Sequence, residues 1–334
     1  EDSSDKETME VLMAHYFALE TRHVRMTYKA LKSILDLTKR YLAGKTGLPG
    51  SAIDVMDDAV SRAREAGHSH VNEDHVRDVV SVKSRVNVQR LGQDEKQNLL
   101  GLEDALKSRV IGQDGAIRAV ASALKRARLD LHDRKRPIGT FLFLGPTGVG
   151  KTETAKVLAQ QYFGSTDATI RLDMNEFSHS DSVFSIIGGS GSGEGFLSQR
   201  VQDKPFSLIL LDEIEKAHPA VLNLFLQILD EGFLNDSRGT RTDFRNTIII
   251  ATSNAGALFI RDFIKQHADF DKNQFKASLI ETILHEKSFA PEFINRFDEV
   301  VLFYPLSNET TAKVASLMIE EIVSDVVKRR GINV

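Results

Sequence analysis

The chain has 334 residues, which is long for one typical domain and fits two. Its 43 basic and 47 acidic side chains give a net charge of −4, so bulk charge does not point to nucleic acid as a partner. No apolar run approaches the ~18 residues of a membrane span, and we expect no membrane partner. The absence of cysteine excludes disulfides, zinc thiolates and thiol nucleophiles, and it fits a reducing compartment, the cytoplasm or an organellar matrix.

Residues 1–85 are predicted to be helical and to contain no strand. Two sets of apolar side chains keep helical spacing on either side of a break at residues 47–50. They are Leu31, Ile34 and Leu35 before the break, and Met56, Ala59, Val60 and Ala63 after it. Residues 86–109 are polar and charged, and we interpret them as a linker that leads into a helix. The chain starts at Glu1 with no signal segment, so we expect a piece of a longer protein.

From residue 138 onward, short apolar runs alternate with helical stretches, which predicts an α/β fold with a five-stranded parallel sheet covered on both faces. The predicted strands are residues 140–144, 169–172, 207–211, 247–251 and 299–303. One intervening helix is indicated by Val221, Leu224, Phe225, Ile228 and Leu229. A last helix is expected from Ser307 onward.

A phosphate-loop pattern, G-x-x-x-x-G-K-[ST], directly follows the first of these strands. Its residues are Gly145, Pro146, Thr147, Gly148, Val149, Gly150, Lys151 and Thr152. Glycines let backbone N–H groups converge on phosphate oxygens, Lys151 reaches the terminal phosphates, and the hydroxyl of Thr152 can ligate Mg²⁺. The next helix points its positive end at the phosphates. The pattern predicts nucleotide binding, but it also occurs in GTPases, kinases and helicases.

Two carboxylates, Asp212 and Glu213, end the apolar strand 207–211. Parallel sheets bind ligands at the carboxyl edge of their strands, so these side chains are expected beside the phosphate loop. Asp212 would hold Mg²⁺ through water, and Glu213 would polarise the attacking water. Taken alone, an acidic pair could also be a simple strand cap.

Two further polar residues follow the same logic. Asn254 comes just after the strand 247–251 and could orient the attacking water, although asparagine is also a common turn residue. Arg296 precedes the last strand and could stabilise transition-state charge on the nucleotide of a neighbouring subunit. The alternative for Arg296 is an ordinary salt bridge to Asp298 or Glu299.

Several segments occur in the order found in one family. They are Arg-Val-Ile-Gly-Gln at 109–113, the phosphate loop, Leu-Asp-Glu-Ile-Glu-Lys-Ala-His-Pro at 211–219, Asp-Phe-Arg-Asn-Thr at 243–247, Thr-Ser-Asn at 252–254 and Pro-Glu-Phe-Ile-Asn-Arg at 291–296. Together they resemble the second ATPase domain of the ClpA/ClpB/ClpC unfoldases of the AAA+ superfamily. More weakly, segments 38–42 and 51–59 resemble the small lid domain of the first ATPase ring.

The resemblance implies ATP and Mg²⁺ as cofactors, Val110 and Ile111 at the adenine, Asn254 as the γ-phosphate sensor and Arg296 as a finger acting in trans. It also implies a hexamer in the parent protein that threads unfolded or aggregated protein clients. The expected organisation is a first-ring lid at 1–85, a linker at 86–109, a second-ring ATPase domain at 110–306 and an incomplete lid at 307–334.

Three features depart from the family pattern. The place of the aromatic pore loop holds a short glycine-rich stretch, 188–195, with no aromatic side chain. The chain ends before the lid arginine that usually completes the nucleotide site. Residues 256–287 lack the hydrophobic-Gly-hydrophobic tripeptide by which relatives dock on a peptidase, so a peptidase partner is not supported.

Two other functions share this core fold. One is a nucleic-acid motor or loader, which would be expected to carry basic insertions that this chain lacks. The other is a regulatory nucleotide-binding scaffold without pulling activity, which the acidic Glu213 argues against. The basic run at 125–136 is interrupted by acidic residues, and we interpret it as a solvated surface. We interpret His68, His70 and His75 as a polar turn and not as a metal site.

Overall fold

A computed structural model of the chain describes residues 5–20, 25–42, 47–84, 94–129, 135–189, 193–237, 239–267 and 270–330. The chain divides into two compact units. The first comprises Glu1–Asn98 and Gln202–Phe206, and the second comprises Leu99–Val201 and Ser207–Val334. In the part of the chain that is described, no helix is long and apolar enough to cross a membrane.

The described residues of the first unit form four helices and one small pair of strands. In chain order they are α1 (Asp5–Glu20), β1 (Arg25–Met26), α2 (Tyr28–Tyr41), α3 (Gly50–Glu65), β2 (His70–Val71) and α4 (Glu73–Ser84). The predicted pair of amphipathic helices is confirmed, because Val55, Met56, Ala59 and Ala63 form the buried face of α3.

The prediction that residues 1–85 contain no strand is wrong. The two-residue strands β1 and β2 pair in parallel, and Thr27 N–H donates to the carbonyl of Val71 just beyond them. Strands this short show no alternation that a sequence pattern could reveal. The turn predicted around the three histidines is also shorter than expected, because His70 lies in β2 and His75 in α4.

Helix α5 (Asp94–Lys107) lies within the predicted linker region and runs past the boundary at Leu99 into the second unit, where α6 (Asp114–Leu129) follows. The further helices are α7 (Lys151–Phe163), α8 (Ser182–Ile187), α9 (Phe196–Asp203), α10 (Pro219–Glu231), α11 (Ala257–Gln266), α12 (Lys272–His285), α13 (Pro291–Ile294) and α14 (Asn308–Arg330). The strands are β3 (Gly139–Leu144), β4 (Thr169–Asp173), β5 (Gly188–Gly189), β6 (Gly193–Glu194), β7 (Leu208–Asp212), β8 (Phe233–Asn235), β9 (Arg241–Asp243), β10 (Ile248–Ser253) and β11 (Glu299–Leu302).

A five-stranded parallel sheet forms the centre of this unit, with the strand order β11-β3-β10-β7-β4. The predicted α/β fold and its five strands are therefore confirmed. Every residue of β3 and β10 is buried, which explains why the apolar residues of these strands do not alternate with exposed polar ones. Because all five strands run in the same direction, their carboxyl ends lie along one edge.

Candidate nucleotide-binding and hydrolysis site

The carboxyl edge of the sheet brings three of the predicted motifs together. Strand β10 lies between β3 and β7, with Ser253 opposite Leu144 and Ala251 opposite Leu211. The phosphate loop follows β3, Asn254 follows β10, and Asp212 ends β7 with Glu213 directly after it. Parallel pairing of the three central strands therefore places these motifs side by side.

The phosphate loop joins β3 to the amino end of α7. Gly150, immediately before α7, has φ +102°, a left-handed conformation that strongly favours glycine. The partial positive charge at the start of a helix attracts anions, so the end of α7 favours phosphate at this loop. Within the loop, Thr147 and Gly148 are exposed to solvent, whereas Val149 is buried.

Lys151 is buried, and its ammonium donates to three oxygens. These are the carbonyls of Gly145 at 2.5 Å and Pro146 at 2.8 Å, and the side-chain oxygen of Asn254 at 2.9 Å. Burial lowers the pKa of Lys151 from 10.5 to about 8, while the charges of Glu215, Asp212 and Glu213 oppose that shift. A lysine in this state is strongly favoured as a cation once an anion is bound beside it.

Asp212 is held from two sides at the end of β7. Its Oδ1 accepts a hydrogen bond from the hydroxyl of Thr252 at 2.5 Å, and its Oδ2 pairs with Arg171 at 2.7 Å. The same Thr252 hydroxyl accepts from the backbone N–H of Glu213 at 3.2 Å. Thr252 therefore fixes both members of the acidic pair relative to β10.

Glu213 has φ +56°, a left-handed backbone conformation that costs a residue with a Cβ about 1–2 kcal/mol. Local strain of this kind is concentrated at functional sites. Its carboxylate accepts from the side-chain amides of Asn175 at 2.8 Å and Asn254 at 3.3 Å. The carboxylate is thus held at the carboxyl edge of the sheet, between the residues that follow β4 and β10.

Asn254 connects the phosphate loop to the acidic pair. Its side-chain oxygen accepts from Lys151 and, at 3.3 Å, from the hydroxyl of Thr147, while its amide nitrogen donates to Glu213. Its backbone N–H donates to Glu215 Oε1 at 2.9 Å. The turn interpretation also holds for the backbone, because the carbonyl of Asn254 accepts from the N–H of Ala257. The residue therefore makes a turn and presents its side chain to the site.

Four further residues that organise this site were not predicted from the sequence: Arg171, Asn175, Glu215 and Thr252. Asn175 lies in the 3₁₀ turn Met174–Phe177 directly after β4, so the rule that placed Asn254 at a strand end could also have found it. One side-chain oxygen of Glu215, Oε2, is buried and has no hydrogen-bond partner among the described residues.

Val110 is buried and packs beside the phosphate loop, with Cγ1 3.6 Å from the position that a Cβ on Gly150 would occupy. Ile111 is half-buried next to it. A third residue of this segment, Gln113, was not predicted to be in the site. Its side chain donates to the carbonyls of Val149 and Tyr304 and accepts from the N–H of Tyr304. Gln113 thus ties the phosphate loop to the chain that follows β11.

Arg296 does not lie with the other predicted residues. Asp298 N–H donates to the carbonyl of Thr140, so the turn that carries Arg296 meets the amino end of β3, opposite the phosphate loop. The guanidinium of Arg296 pairs with Asp230 of α10 at 3.0 Å and is about half exposed. The alternative prediction of a salt bridge to Asp298 or Glu299 is therefore wrong: Arg296 does form a salt bridge, but its partner is Asp230 of α10.

The glycine-rich stretch at 188–195 forms a short antiparallel pair, β5 with β6. Its centre, residues 190–192, lies outside the described residues. In the first unit, the rings of His68 and His75 are joined by a 2.9 Å nitrogen–nitrogen contact. A group of three or more His, Cys, Asp or Glu side chains suited to a metal ion does not occur among the residues that the structure describes.

Comparison with known proteins agrees with this geometry. The family described as AAA domain (Cdc48 subfamily) matches residues 136–300, and the AAA lid domain matches residues 4–108. The chaperone protein ClpB of Aquifex aeolicus is 48% identical over 256 residues, covering 75% of this chain and 25% of that protein. ClpC of Staphylococcus saprophyticus, an ATP-dependent Clp protease ATP-binding subunit, is 34% identical and covers 96% of this chain and 47% of its own length.

Solved structures of yeast (S. cerevisiae) Hsp104 are similar as well. Hsp104 in an extended complex with casein matches 97% of this chain with a TM-score of 0.82 and 34% identity, and Hsp104 with ADP matches 96% with a TM-score of 0.79. This chain covers 56% of each Hsp104 chain, so it spans about half the length of these proteins or less. The chain belongs to the nucleotide-binding AAA ATPases, with an AAA domain and an AAA lid domain homologous to those of ClpB, ClpC and Hsp104.

Proposed function

We propose that this chain hydrolyses ATP as one subunit of a ring and uses the cycle to remodel or thread polypeptides. The observation that carries the chemical part is the hydrogen-bonded link from Lys151 through Asn254 to Glu213. Such a link holds a cation for the phosphates, a polar amide and a general base in one arrangement. Glu213 polarises the attacking water, Asn254 orients it against the γ-phosphate, and Lys151 neutralises developing charge.

The side chains that we assign to Mg²⁺ are Thr152, at the start of α7, and Asp212, at the end of β7. A hydroxyl and a carboxylate are oxygen donors of the kind Mg²⁺ prefers, and Mg²⁺ needs only one or two protein ligands beside substrate phosphates. When bound, the ion neutralises phosphate charge. The chain's own part is to keep the Asp212 carboxylate in place, through Thr252 and Arg171.

For the base of the nucleotide we propose Val110 and Ile111. The buried Val110 packs on the phosphate loop at Gly150, so an apolar surface lies next to the phosphate site. Gln113 keeps this segment against Val149 and Tyr304. The segment therefore couples the base of the nucleotide to the chain that leads into α14.

We propose that Arg296 acts on the nucleotide of a neighbouring subunit. Within one chain, the six residues of β3 separate its turn from the phosphate loop, a distance of about 20 Å at 3.3 Å per residue. An arginine side chain does not span that distance, so Arg296 can meet only a nucleotide held by another copy. An exposed arginine at the edge opposite the site is what a ring of identical subunits requires.

The proposed clients are unfolded or aggregated proteins, by analogy with Hsp104, whose structures include casein complexes. The proposed assembly is a hexamer formed by the parent protein. We assign residues 1–85 to a first-ring lid, 86–109 to a linker, 110–306 to the second-ring ATPase domain and 307–334 to the start of its lid. The proposed location is the cytoplasm or an organellar matrix, with no peptidase as an expected partner.

ATP hydrolysis measured in the presence of different macromolecules separates protein remodelling from the two alternatives, a nucleic-acid motor and a regulatory scaffold. We expect an unfolded polypeptide such as casein to change the ATP hydrolysis rate, and single-stranded or duplex DNA to leave it unchanged. A response to DNA alone would favour a nucleic-acid motor. A chain that binds ATP but hydrolyses none with either addition would be a regulatory scaffold.

A further inference from the structure

Arg136 lies between α6 and β3, and its side chain reaches both elements that hold Arg296. Its Nε donates to the carbonyl of Leu229 at 2.9 Å, and its Nη2 donates to the carbonyl of Arg296 at 2.5 Å. Its Nη1 lies 3.5 Å from a carboxylate oxygen of Asp298. One planar guanidinium therefore bridges the end of α10 and the turn before β11.

The contact with Leu229 is at a place where a cation is favoured. The last four carbonyls of a helix have no N–H partner within it, and Leu229 lies in the last turn of α10. Its neighbour Asp230 supplies the carboxylate that pairs with Arg296. Arg136 thus fixes the backbone on both sides of the Arg296–Asp230 pair, without contacting either of the two charged groups.

The backbone that carries Arg136 is itself confined. Gly232 ends α10 with φ +66°, and a Cβ added there would lie 2.0 Å from the carbonyl oxygen of Lys135. Such a distance is far below van der Waals contact, so only glycine allows the 135–136 backbone to lie this close to α10. The backbone at Arg136 is therefore held close to α10, the helix whose Leu229 carbonyl accepts a hydrogen bond from the Arg136 side chain.

We propose that Arg136 is a positioning residue for Arg296, setting the direction in which the Arg296 side chain leaves the subunit. The inference rests on the proposed action of Arg296 in trans. Arg136 lies at the amino edge of the sheet, remote from the phosphate loop of its own chain. Its effect on hydrolysis is therefore transmitted through Arg296, because small displacements of a catalytic group cost large factors in rate.

A double-mutant cycle on the full chain tests this inference. The variants are Arg136→Met, Arg296→Ala and the pair, with Arg126→Met as the matched control. Arg126 lies on α6, pairs with Glu299 at the same end of the sheet and makes no hydrogen bond to Arg296 or Leu229 among those the structure describes. We expect Arg136→Met to lower kcat of the assembled protein by about 10- to 100-fold with little change in the Kd of ATP. We expect the control to retain its rate.

The double variant, Arg136→Met with Arg296→Ala, is expected to lose no more activity than Arg296→Ala alone, because both changes remove the same interaction. Losses that multiply would show that Arg136 acts independently of Arg296 and would overturn the inference. A normal rate in Arg136→Met, beside a low rate in Arg296→Ala, would overturn it and leave the proposed function standing. If Arg296→Ala leaves the hydrolysis rate unchanged, Arg296 does not act in trans, and both the inference and that part of the proposed function are overturned.

Thermal unfolding of each variant shows whether the fold persists. If Arg136→Met does not fold, Arg136→Lys carries the same cycle, because lysine keeps the charge but cannot bond both carbonyls in one plane. Arg136→Lys is expected to lose about tenfold in kcat, non-additively with Arg296→Ala. Full activity in a folded Arg136→Lys, or multiplying losses, would contradict the inference.

Discussion

The ammonium of Lys151 donates a 2.9 Å hydrogen bond to the side-chain oxygen of Asn254. The two residues are 103 positions apart in the chain, and they meet because β3 and β10 are neighbours in the sheet. The other end of the same amide donates to Glu213, which follows the next strand, β7. The strand order therefore assembles a cation, an amide and a carboxylate from three separate loops.

Glu213→Gln should keep ATP binding and abolish turnover. An uncharged amide cannot take a proton from water, so we expect hydrolysis to fall by at least about 100-fold. Binding of a fluorescent nucleotide should stay within a few-fold, since Lys151 and the phosphate loop are unchanged. The matched control is Glu281→Gln, an exposed residue of α12. Persistent hydrolysis in Glu213→Gln would mean that another group activates the water.

Asn254→Ala should lower kcat more than it changes the KM for ATP. The change removes the amide that contacts Lys151 and Glu213 but leaves the phosphate loop itself intact. We expect a loss of about 100-fold in kcat, the size expected when one preorganised polar group is removed from a site that stabilises developing charge. Equal losses in kcat and nucleotide affinity would instead indicate that Asn254 serves to hold Lys151.

Nucleotide binding should weaken at alkaline pH. Burial lowers the pKa of Lys151 to about 8 in the free protein, so the ammonium is charged below this pH and is progressively lost above it. Phosphate charge raises that pKa on binding, so binding takes up a proton and the Kd rises by up to about tenfold per pH unit above 8. Titrations from pH 7.5 to 9.5 measure the slope, and Lys151→Met should bind weakly with no such dependence. A flat Kd in the unmodified chain would contradict the assignment.

Thr252→Val and Thr247→Val separate stability from activity. Both hydroxyls are buried at opposite ends of the β10 segment, and Thr247 donates to the carbonyl of Phe244. Each change should lower the free energy of unfolding by about 1–3 kcal/mol, because a buried partner loses its hydrogen bond. Only Thr252→Val should also lower kcat, since Thr252 holds Asp212 and Glu213. Denaturant unfolding and hydrolysis assays on both variants measure these effects. If the two variants hydrolyse ATP at the same rate, Thr252 has no role in catalysis beyond stability.

Much of this site could be predicted because its signals are local. The phosphate loop, Asp212 and Asn254 each follow an apolar strand, and parallel strands end at one edge whatever their order. Asn175 follows β4 in the same way, so the same rule could have found it; only its contact with Glu213, 38 residues away, is not visible in the sequence pattern. The salt bridge between Arg296 and Asp230 was not predicted, because it depends on the position of α10 and not on the residue spacing near Arg296.

Small features of the first unit show the same limit. The helices α2 and α3 were predicted because three apolar positions in α2 and four in α3 keep helical spacing. The pair β1 and β2 was not, because two residues a strand carry no period and the partners are 45 positions apart, from Arg25 to His70. Such pairing is decided by the packing of the helices on either side.

The most direct test of the account is steady-state ATP hydrolysis with Mg²⁺ across a series of protein concentrations, with light scattering on the same samples. We expect the specific rate to rise as oligomers form. Within one chain, Arg296 and the phosphate loop lie at opposite edges of the sheet, so they complete a site only between subunits. Arg296→Ala should assemble equally and lose this rise. A specific rate that is independent of assembly, or an equal loss in monomeric Arg296→Ala, would contradict the action of Arg296 in trans.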